Sequence, residues 1–175
     1  MKTITKHIRD FLIPIFVTIV LPLTINRAEH LRFGRPLLAQ SALLVIAGVL
    51  VGLAGVGLML SAIILMIRIA KSTVMPWDPS QHLVVAGPYR HLRNPMILGV
   101  ILLLLGEALI LSSYGIAILA LAFFILNTIY FIYVEEPRLE KQFGEAYRHY
   151  TVHVPRWLPR VKPWYPQDSA SGNKA

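Results

Sequence analysis

A nine-residue segment, GPYRHLRNP at residues 87–95, holds most of the side chains that could bind a small anion. Asn94 followed by Pro95 is a strong signal for the start of a helix, because asparagine caps helices and proline suits the first turn. A helix that begins here presents free backbone N–H groups and the positive end of its dipole. With Arg90 and Arg93 beside it, this helix start predicts an anion-binding site.

Two adjacent carboxylates, Glu135 and Glu136, form the second segment with chemical potential. Neighbouring helical residues point about 100° apart, so one of them can face the protein while the other meets solvent or Arg138. Pro137 lacks an N–H and is expected to loosen the helix at this point. Either carboxylate could bind an ammonium or hydroxyl groups. Both are candidate catalytic residues for a reaction that needs a general base.

The elements that position these segments are predicted from the composition. The chain has 175 residues, of which 55% are hydrophobic and 15% charged, with no cysteine and a net charge of +8. Ordinary soluble domains are less apolar and more charged, so we expect an all-α integral membrane protein. Its uncharged runs predict four membrane-spanning helices, at about residues 11–26, 40–67, 95–112 and 115–134.

The first predicted span is the shortest of the four and the second is the longest. Residues 11–26 are interrupted by Pro14 and Pro22, but no small-residue cleavage site follows, which favours a retained helix over a signal peptide. The second run is too short for two crossings, so one long tilted helix is expected. Its glycines, including Gly48 and Gly52, lie inside an apolar run and favour close helix packing over a nucleotide-binding loop.

The distribution of cations predicts the orientation. With the N-terminus inside, fourteen of the seventeen lysines and arginines lie on the cytoplasmic side, so both termini are expected there, in an inner membrane of the bacterial type. An amphipathic helix is predicted at about residues 137–151, in the plane of the lipid headgroups. Residues 1–166 are expected to form one domain, and residues 167–175 a disordered tail.

The predicted third and fourth helices form a hairpin that brings the two polar segments together. Residues 95–111 span about 25 Å and residues 116–134 about 28 Å, so the two ends finish nearly level. A matching ligand carries a carboxylate for the helix start, an ammonium or hydroxyls for a glutamate, and an apolar ring for Leu83, Val84, Val85 and Tyr89. S-adenosylmethionine fits this description, although spacing alone does not name it.

Three motifs follow one another along the chain: GPYRHLRNPMILG (87–99), EEPRLEKQFGEAYRHY (135–150) and VPRWLPR (154–160). They resemble the bacterial-type branch of the membrane methyltransferases in the isoprenylcysteine carboxyl methyltransferase and phospholipid methyltransferase superfamily. The resemblance implies a helical enzyme without a Rossmann domain, a cytoplasmic S-adenosylmethionine pocket capped by the C-terminal segment, and a lipid-borne acceptor. The cofactor contacts that it implies are Leu83, Val84, Gly87, Tyr89, Arg93, Asn94, Pro95, Met96, Ile97, Glu135 and Glu136, with Arg90 as a candidate substrate-binding residue.

Two departures from the eukaryotic pattern bear on the acceptor. That pattern has histidine where this chain has Asn94, and a substrate-binding arginine where this chain has Phe131. The methyl acceptor therefore stays open between a prenylcysteine carboxylate, a phospholipid amine and another lipophilic molecule. Direct transfer from an activated methyl donor mainly requires that the protein align and desolvate the reactants.

The main alternative is a non-enzymatic membrane scaffold or a transporter subunit, which explains the hydropathy and the charge asymmetry equally well. It does not explain the convergence of arginine, asparagine and paired glutamates, and the chain lacks the internal repeat of many transporters. Membrane lipids and a lipophilic or lipidated substrate are the expected partners, with no nucleic acid and no metal. The intramembrane Glu107 is expected to be structural or to reach the surface.

Overall fold

The computed structural model describes residues 16–33, 41–70 and 83–166, and within these ranges every regular element is helical. The helices are α1 (Leu21–Phe33), α2 (Ala42–Leu65), α3 (Pro95–Leu111), α4 (Tyr114–Tyr130), α5 (Glu136–Phe143) and α6 (Glu145–His153). π-Helical turns at Phe16–Val20, Met66–Ala70 and Phe131–Glu135 continue these helices, and Gly87–Arg90 forms a 3-10 turn.

Two stretches of the described residues are long and apolar enough to cross a membrane, Ala42–Ile69 with 28 residues and Tyr114–Phe143 with 30. Only 17% and 11% of their most apolar windows are buried, which is unlike the core helices of a soluble protein. The apolar α3 is shorter and matches the predicted third span closely. Within the described ranges, the all-helical prediction and the single long second helix are confirmed. Of the four predicted spans, the second and the fourth lie in helices long enough to cross a membrane.

The first helix continues past its predicted end. The apolar pattern predicts a span that closes at residue 26, whereas α1 runs on to Phe33. Ala28, Arg27 and Leu31 have high helix propensity, which favours this extension. Residues 11–15 lie outside the part of the chain that the structure describes.

Helices α2 and α3 pack through facing glycines. A Cβ built on Gly48 would lie 2.8 Å from the Gly106 carbonyl oxygen, and one built on Gly55 would lie 2.6 Å from the Gly99 oxygen. These pairs set the two helices antiparallel at a separation that only glycine permits, which confirms the predicted packing role of Gly48. A Cβ built on Gly57 would meet no other atom within 4 Å, so this glycine takes no part in the packing.

The helical axis continues from α4 into α5 through the π-helical turn Phe131–Glu135, and Pro137 is the second residue of α5. The Glu136 N–H bonds to the Phe131 oxygen five residues back, so the widened turn accommodates the proline without ending the helix. The predicted loosening of the helix near Pro137 therefore takes the form of a π-helical turn.

The C-terminal amphipathic segment differs from its prediction. The single helix expected at residues 137–151 is wrong, because α5 and α6 are separate helices that meet at Gly144. Gly144 has φ +57°, a left-handed value that glycine adopts without the clash a Cβ would add. The predicted tail at residues 167–175 lies outside the described residues.

The helical hairpin has two distinct ends, which we call the turn end and the loop end. At the turn end, Ser112 adopts φ 52° and Ser113 caps α4 by accepting a hydrogen bond from the Ile116 N–H at 3.1 Å. The carboxylate of Glu29, from α1, accepts bonds from the Ser113 hydroxyl and from the Gly115 N–H at 2.8 Å. The loop end comprises residues 83–94, α5, α6 and the C-terminal segment 154–166.

Candidate functional site

The loop of residues 83–94 packs against the end of α2. Val84 and Tyr89 form a buried apolar cluster with Ala62, and Met96 contacts this cluster from α3. Gly87 turns the chain with φ +51°, where an added Cβ would lie 2.7 Å from a Leu65 methyl group. The positive φ is what favours glycine at this position, because the Leu65 side chain could move away from an added Cβ.

The C-terminal segment 154–166 is tied to the loop by backbone hydrogen bonds. The Arg93 N–H donates to the Pro155 oxygen at 2.9 Å, the Arg160 N–H to the His91 oxygen at 3.0 Å, and the Trp164 N–H to the Arg90 oxygen at 3.0 Å. A segment held by its main chain keeps this position largely independently of its side chains. It covers the loop, and the capping of a cofactor pocket that the resemblance implies remains a prediction.

Glu136 is the centre of the charged contacts at the loop end. Its Oε1 accepts a hydrogen bond from Arg93 Nη1 at 3.0 Å, and its two oxygens accept from Arg156 Nε and Nη2 at 2.6 and 2.9 Å. The predicted proximity of residues 87–95 to the paired glutamates is confirmed by the first contact. Arg156 is a functional candidate that the sequence reasoning missed, although it lies within the VPRWLPR motif.

Glu135 points to a different set of partners. It accepts a hydrogen bond from Arg138 Nη2 at 3.0 Å and one from the Tyr130 hydroxyl at 3.4 Å. The sequence left open which glutamate would face the loop and which would meet Arg138. In the structure, Glu136 faces the loop and Glu135 binds Arg138. The two side chains differ because adjacent helical residues point about 100° apart.

The start of α3 lacks a side-chain cap. Asn94 precedes Pro95 as predicted, but its side chain makes no capping hydrogen bond. Asn94 is only 9% exposed, and its Nδ2 is buried without a hydrogen-bond partner. Arg93 Nε is likewise buried and unpartnered. Buried N–H donors without partners are uncommon, so these two are candidate donors to a ligand oxygen.

Two tyrosines of α6 complete the interior of the loop end, and the sequence reasoning did not assign them to the site. The Tyr150 hydroxyl donates to the Tyr89 oxygen at 2.7 Å. Tyr147 is 4% exposed, and its burial raises its pKa to about 12, with a further rise from Glu136 and an opposing effect from Arg93. Burial also raises the pKa of Tyr150 and of Tyr89 above the usual range. Both α6 tyrosines therefore stay neutral at physiological pH.

Arg90 lies apart from the Glu136 contacts. Its Nε donates to the Val85 oxygen at 3.3 Å, and its guanidinium lies 4.3 Å from the centre of the Tyr165 ring. The first contact lies within the loop, and the second attaches the C-terminal segment to it. The substrate-binding role expected for Arg90 remains a prediction.

The remaining predicted residues surround the same loop end. Leu83 contacts the buried cluster of Tyr147, Tyr150 and Val154, while Pro95 is fully buried in the first turn of α3 and Ile97 is half-buried two residues later. The structure therefore brings together N–H donors, a carboxylate and an apolar wall. Within the described ranges, no group of three or more histidine, aspartate or glutamate side chains could hold a metal ion.

Comparison with known proteins identifies the family. The family model for phospholipid methyltransferase matches residues 43–146, a region that runs from the start of α2 into α6 and includes both segments of the candidate site. Neither a curated protein nor a solved structure matches the chain. The match covers more than half of the sequence, and the chain therefore belongs to the phospholipid methyltransferase family of membrane enzymes that methylate lipids.

Proposed function

We propose that this protein transfers a methyl group from S-adenosylmethionine to a membrane-embedded acceptor at the cytoplasmic end of the helical hairpin. The observation that carries the proposal is the unpartnered, buried amide of Asn94 at an uncapped helix start, with Glu136 facing the same loop through Arg93. Family membership supports the reaction class.

The residues present fit this cofactor. Asn94 Nδ2 and Arg93 Nε are suited to the carboxylate of its methionine portion, because both are N–H donors without a protein partner. Glu136 is suited to the ammonium group or the ribose hydroxyls, and the Val84 and Tyr89 cluster offers an apolar surface to the purine ring. When bound, S-adenosylmethionine supplies a methyl group that its sulfonium already activates.

The protein's own contribution is alignment and the exclusion of water. The backbone bonds between the loop and the C-terminal segment hold the N–H donors in place before a ligand arrives, which reduces the entropy lost on binding. An acceptor carboxylate needs no general base, whereas an acceptor amine does. We propose that either Glu136, which contacts Arg93 directly, or the adjacent Glu135 acts as the general base for an amine acceptor.

The membrane arrangement is part of the proposal. Exposed apolar side chains on α2 and α4, such as Leu50 at 64% and Leu126 at 66% exposure, are suited to contact with lipid. The positive-inside distribution of the cations supports cytoplasmic termini and a cytoplasmic loop end, in a bacterial-type inner membrane. An acceptor that is itself a lipid then reaches the loop end by lateral diffusion. Residues 1–166 form one domain in this proposal.

The test is the binding of S-adenosylhomocysteine to protein in lipid nanodiscs, measured by calorimetry. Replacing both Glu135 and Glu136 with alanine should abolish binding. The matched control is the double substitution E140A/E145A, because Glu140 and Glu145 are carboxylates that pair only with the exposed Arg148 among their described ion pairs. A double variant at 135 and 136 that binds the product as tightly as the wild type would disprove the site.

A second measurement addresses the reaction itself. Purified protein is incubated with methyl-labelled S-adenosylmethionine and a native lipid extract, with a prenylcysteine analogue in a parallel reaction. Label that appears in the lipid fraction or in the analogue identifies the acceptor class. Absence of cofactor binding in this preparation would favour a non-enzymatic scaffold.

A further inference from the structure

A cavity of about 260 Å³ lies between the first helix and α3, close to the turn end of the hairpin. The first helix contributes residues of the π-helical turn Phe16–Val20 and of the start of α1, and α3 contributes residues of its C-terminal part. The lining residues are Thr18, Ile19, Pro22, Leu23, Glu107, Ile110 and Leu111. Their spacing along each helix places each set on one face. We call this space the Glu107 cavity.

The Glu107 cavity has a buried inner wall and an exposed apolar rim. Thr18 is 7% exposed and Pro22 is buried, so these two residues belong to the inner wall. Ile19 and Leu23 are 51% and 59% exposed and form the rim. The cavity is therefore accessible from the apolar outer surface of the protein. Its volume is slightly below the ~300–1,000 Å³ of typical small-molecule pockets, which suits a small head group and the carbon atoms next to it.

Glu107 is the charged residue of this lining, and its Oε2 is buried without a hydrogen-bond partner. The other glutamates in the described ranges each have a hydroxyl, an N–H group or an arginine as partner: Glu29, Glu135, Glu136, Glu140 and Glu145. A carboxylate that is removed from water without a partner is costly, and in an apolar helix it is by default a functional candidate. Glu107 therefore differs from the carboxylates that hold this fold together.

The chemistry of the lining favours one class of ligand. None of the seven lining residues is a lysine, arginine or histidine, so the cavity itself provides no cation for Glu107. A ligand ammonium group would provide both the positive charge and an N–H donor, which together form a charge-assisted hydrogen bond. A hydroxyl group would leave the charge of the carboxylate unbalanced. A phospholipid is less suitable, because its phosphate would lie beside a carboxylate of the same sign.

We propose that the Glu107 cavity binds a single-chain amphiphilic amine, whose ammonium group donates a hydrogen bond to the Glu107 carboxylate. Its hydrocarbon chain leaves the cavity between Ile19 and Leu23, along the exposed apolar surface. The site is separate from the candidate cofactor site, because Glu107 follows Pro95 by twelve residues, or about 18 Å along α3. The proposal does not depend on methyl transfer, and it gives Glu107 a binding role that the sequence reasoning did not assign.

The test compares three probes that share the same eight-carbon chain. Octylammonium has a positive charge and N–H donors, octyltrimethylammonium has the charge without N–H donors, and octanol has a hydroxyl group without a charge. Full-length protein in a nonionic detergent is mixed with each probe, and the retained molecules are counted by native mass spectrometry. The wild type should retain octylammonium about fivefold to tenfold more often than octanol, which is the difference between a charged and a neutral hydrogen bond. Octyltrimethylammonium should lie between the two.

Two variants test the site itself. E107Q removes the charge but keeps the size of the side chain, so its retention of octylammonium should fall to about the level of octanol. I19W fills the rim and leaves Glu107 in place, so it should reduce the retention of octylammonium and of octanol alike. The matched control is E140Q, because Glu140 is a carboxylate at the loop end that binds the exposed Arg148. This control should retain octylammonium as the wild type does.

Four results would overturn the proposal: equal retention of octylammonium and octanol by the wild type, unchanged retention of octylammonium in E107Q, unchanged retention in I19W, or an equal loss in E140Q. Octyltrimethylammonium that is retained as often as octylammonium would overturn it as well, because the proposal requires an N–H donor. Retention of phosphatidylethanolamine that depends on Glu107 to the same degree would overturn the choice of a single-chain amine.

Two further measurements on the same samples separate this proposal from the proposed function. Thermal unfolding without a probe shows whether each variant is folded, and E107Q should unfold at the wild-type temperature or above, since it loses an unpaired carboxylate. S-adenosylhomocysteine should bind to E107Q and I19W as it does to the wild type. A wild type that retains octylammonium but binds no S-adenosylhomocysteine contradicts only the proposed function. Cofactor binding without a preference for octylammonium contradicts only the amine site.

Discussion

The two helix starts of the α3–α4 hairpin are built differently, although each has a carboxylate from another helix nearby. At the turn end, Ser113 caps α4 and Glu29 accepts hydrogen bonds from the Ser113 hydroxyl and the Gly115 N–H. At the loop end, Asn94 makes no capping bond, and Glu136 binds Arg93 and Arg156 instead of the helix start.

We interpret this difference as one between a structural end and a candidate binding end. A helix start whose N–H groups already have protein acceptors gains stability but has little left to offer a ligand. A helix start without a side-chain cap keeps its dipole and its donors available to an incoming anion. The unpartnered amide of Asn94 makes the loop end the place where we expect a cofactor carboxylate.

Removing the central carboxylate of the loop end should have the largest effect. Glu136→Ala leaves Arg93 and Arg156 partly buried without their shared partner, so we expect a loss of about 2–4 kcal/mol in the free energy of unfolding. Binding of S-adenosylhomocysteine should weaken about 100-fold or more. Denaturation in detergent and calorimetry measure the two effects, with E140A as the control. Unchanged cofactor binding in a folded variant would contradict the assignment of Glu136.

Asn94 should affect binding more than stability. Because its side chain makes no capping bond and its buried Nδ2 has no partner, Asn94→Ala should change the free energy of unfolding by no more than about 1 kcal/mol. The loss of one N–H donor to a carboxylate should weaken S-adenosylhomocysteine binding about 10-fold. Thermal unfolding and calorimetry on the same sample test both parts. A variant that is destabilised but binds normally would show that Asn94 is structural.

The opposite pattern is expected at the turn end. Glu29→Ala removes the acceptor of the Gly115 N–H and should lower the free energy of unfolding by about 1 kcal/mol, as the loss of a helix cap does. The affinity for S-adenosylhomocysteine should not change, since the site lies at the other end of the hairpin. Any loss of affinity that matches the one in Asn94→Ala would mean that the two ends are not independent.

The last effect is absent at neutral pH and appears only at high pH. The pKa of Tyr147 is raised by burial from its ordinary value of 10.0 to about 12, so an unfolded chain loses this proton first as the pH rises. The stability that this group contributes is fully present below pH 10 and is lost between pH 10 and about 12. Tyr147→Phe should therefore make the fall in melting temperature over this range shallower. The matched control is Tyr114→Phe at the turn end, which should reproduce the wild-type curve.

Much of the fold followed from local sequence patterns. The start of α3 at Pro95, the long second helix and the packing of Gly48 follow from proline geometry, apolar run length and the size of glycine. The break at Gly144 was missed because the apolar spacing of Phe143 and Tyr147 continues across it. A period of three to four residues does not reveal one left-handed residue that interrupts the helix.

The candidate site was only partly predictable. Hairpin length correctly brought Arg93 near the paired glutamates, since helical rise per residue is nearly constant. Arg156 and Tyr147 were missed because they come from a segment whose direction after α4 depends on the turn at Gly144 and on backbone hydrogen bonds to the loop. Such contacts join residues that are far apart in the chain, so no periodic pattern in the sequence reveals them.

The sequence by itself determined that this is a basic, helical membrane protein and where its polar residues concentrate, because hydropathy, charge and helix-start signals act over short stretches of chain. Only the tertiary structure decided that Glu136, and not Glu135, faces the loop, that Asn94 is left uncapped, and that Trp157 packs against Phe124 and Phe131. These outcomes depend on which side chains compete for the same donors and acceptors, and that competition exists only once distant segments have packed together.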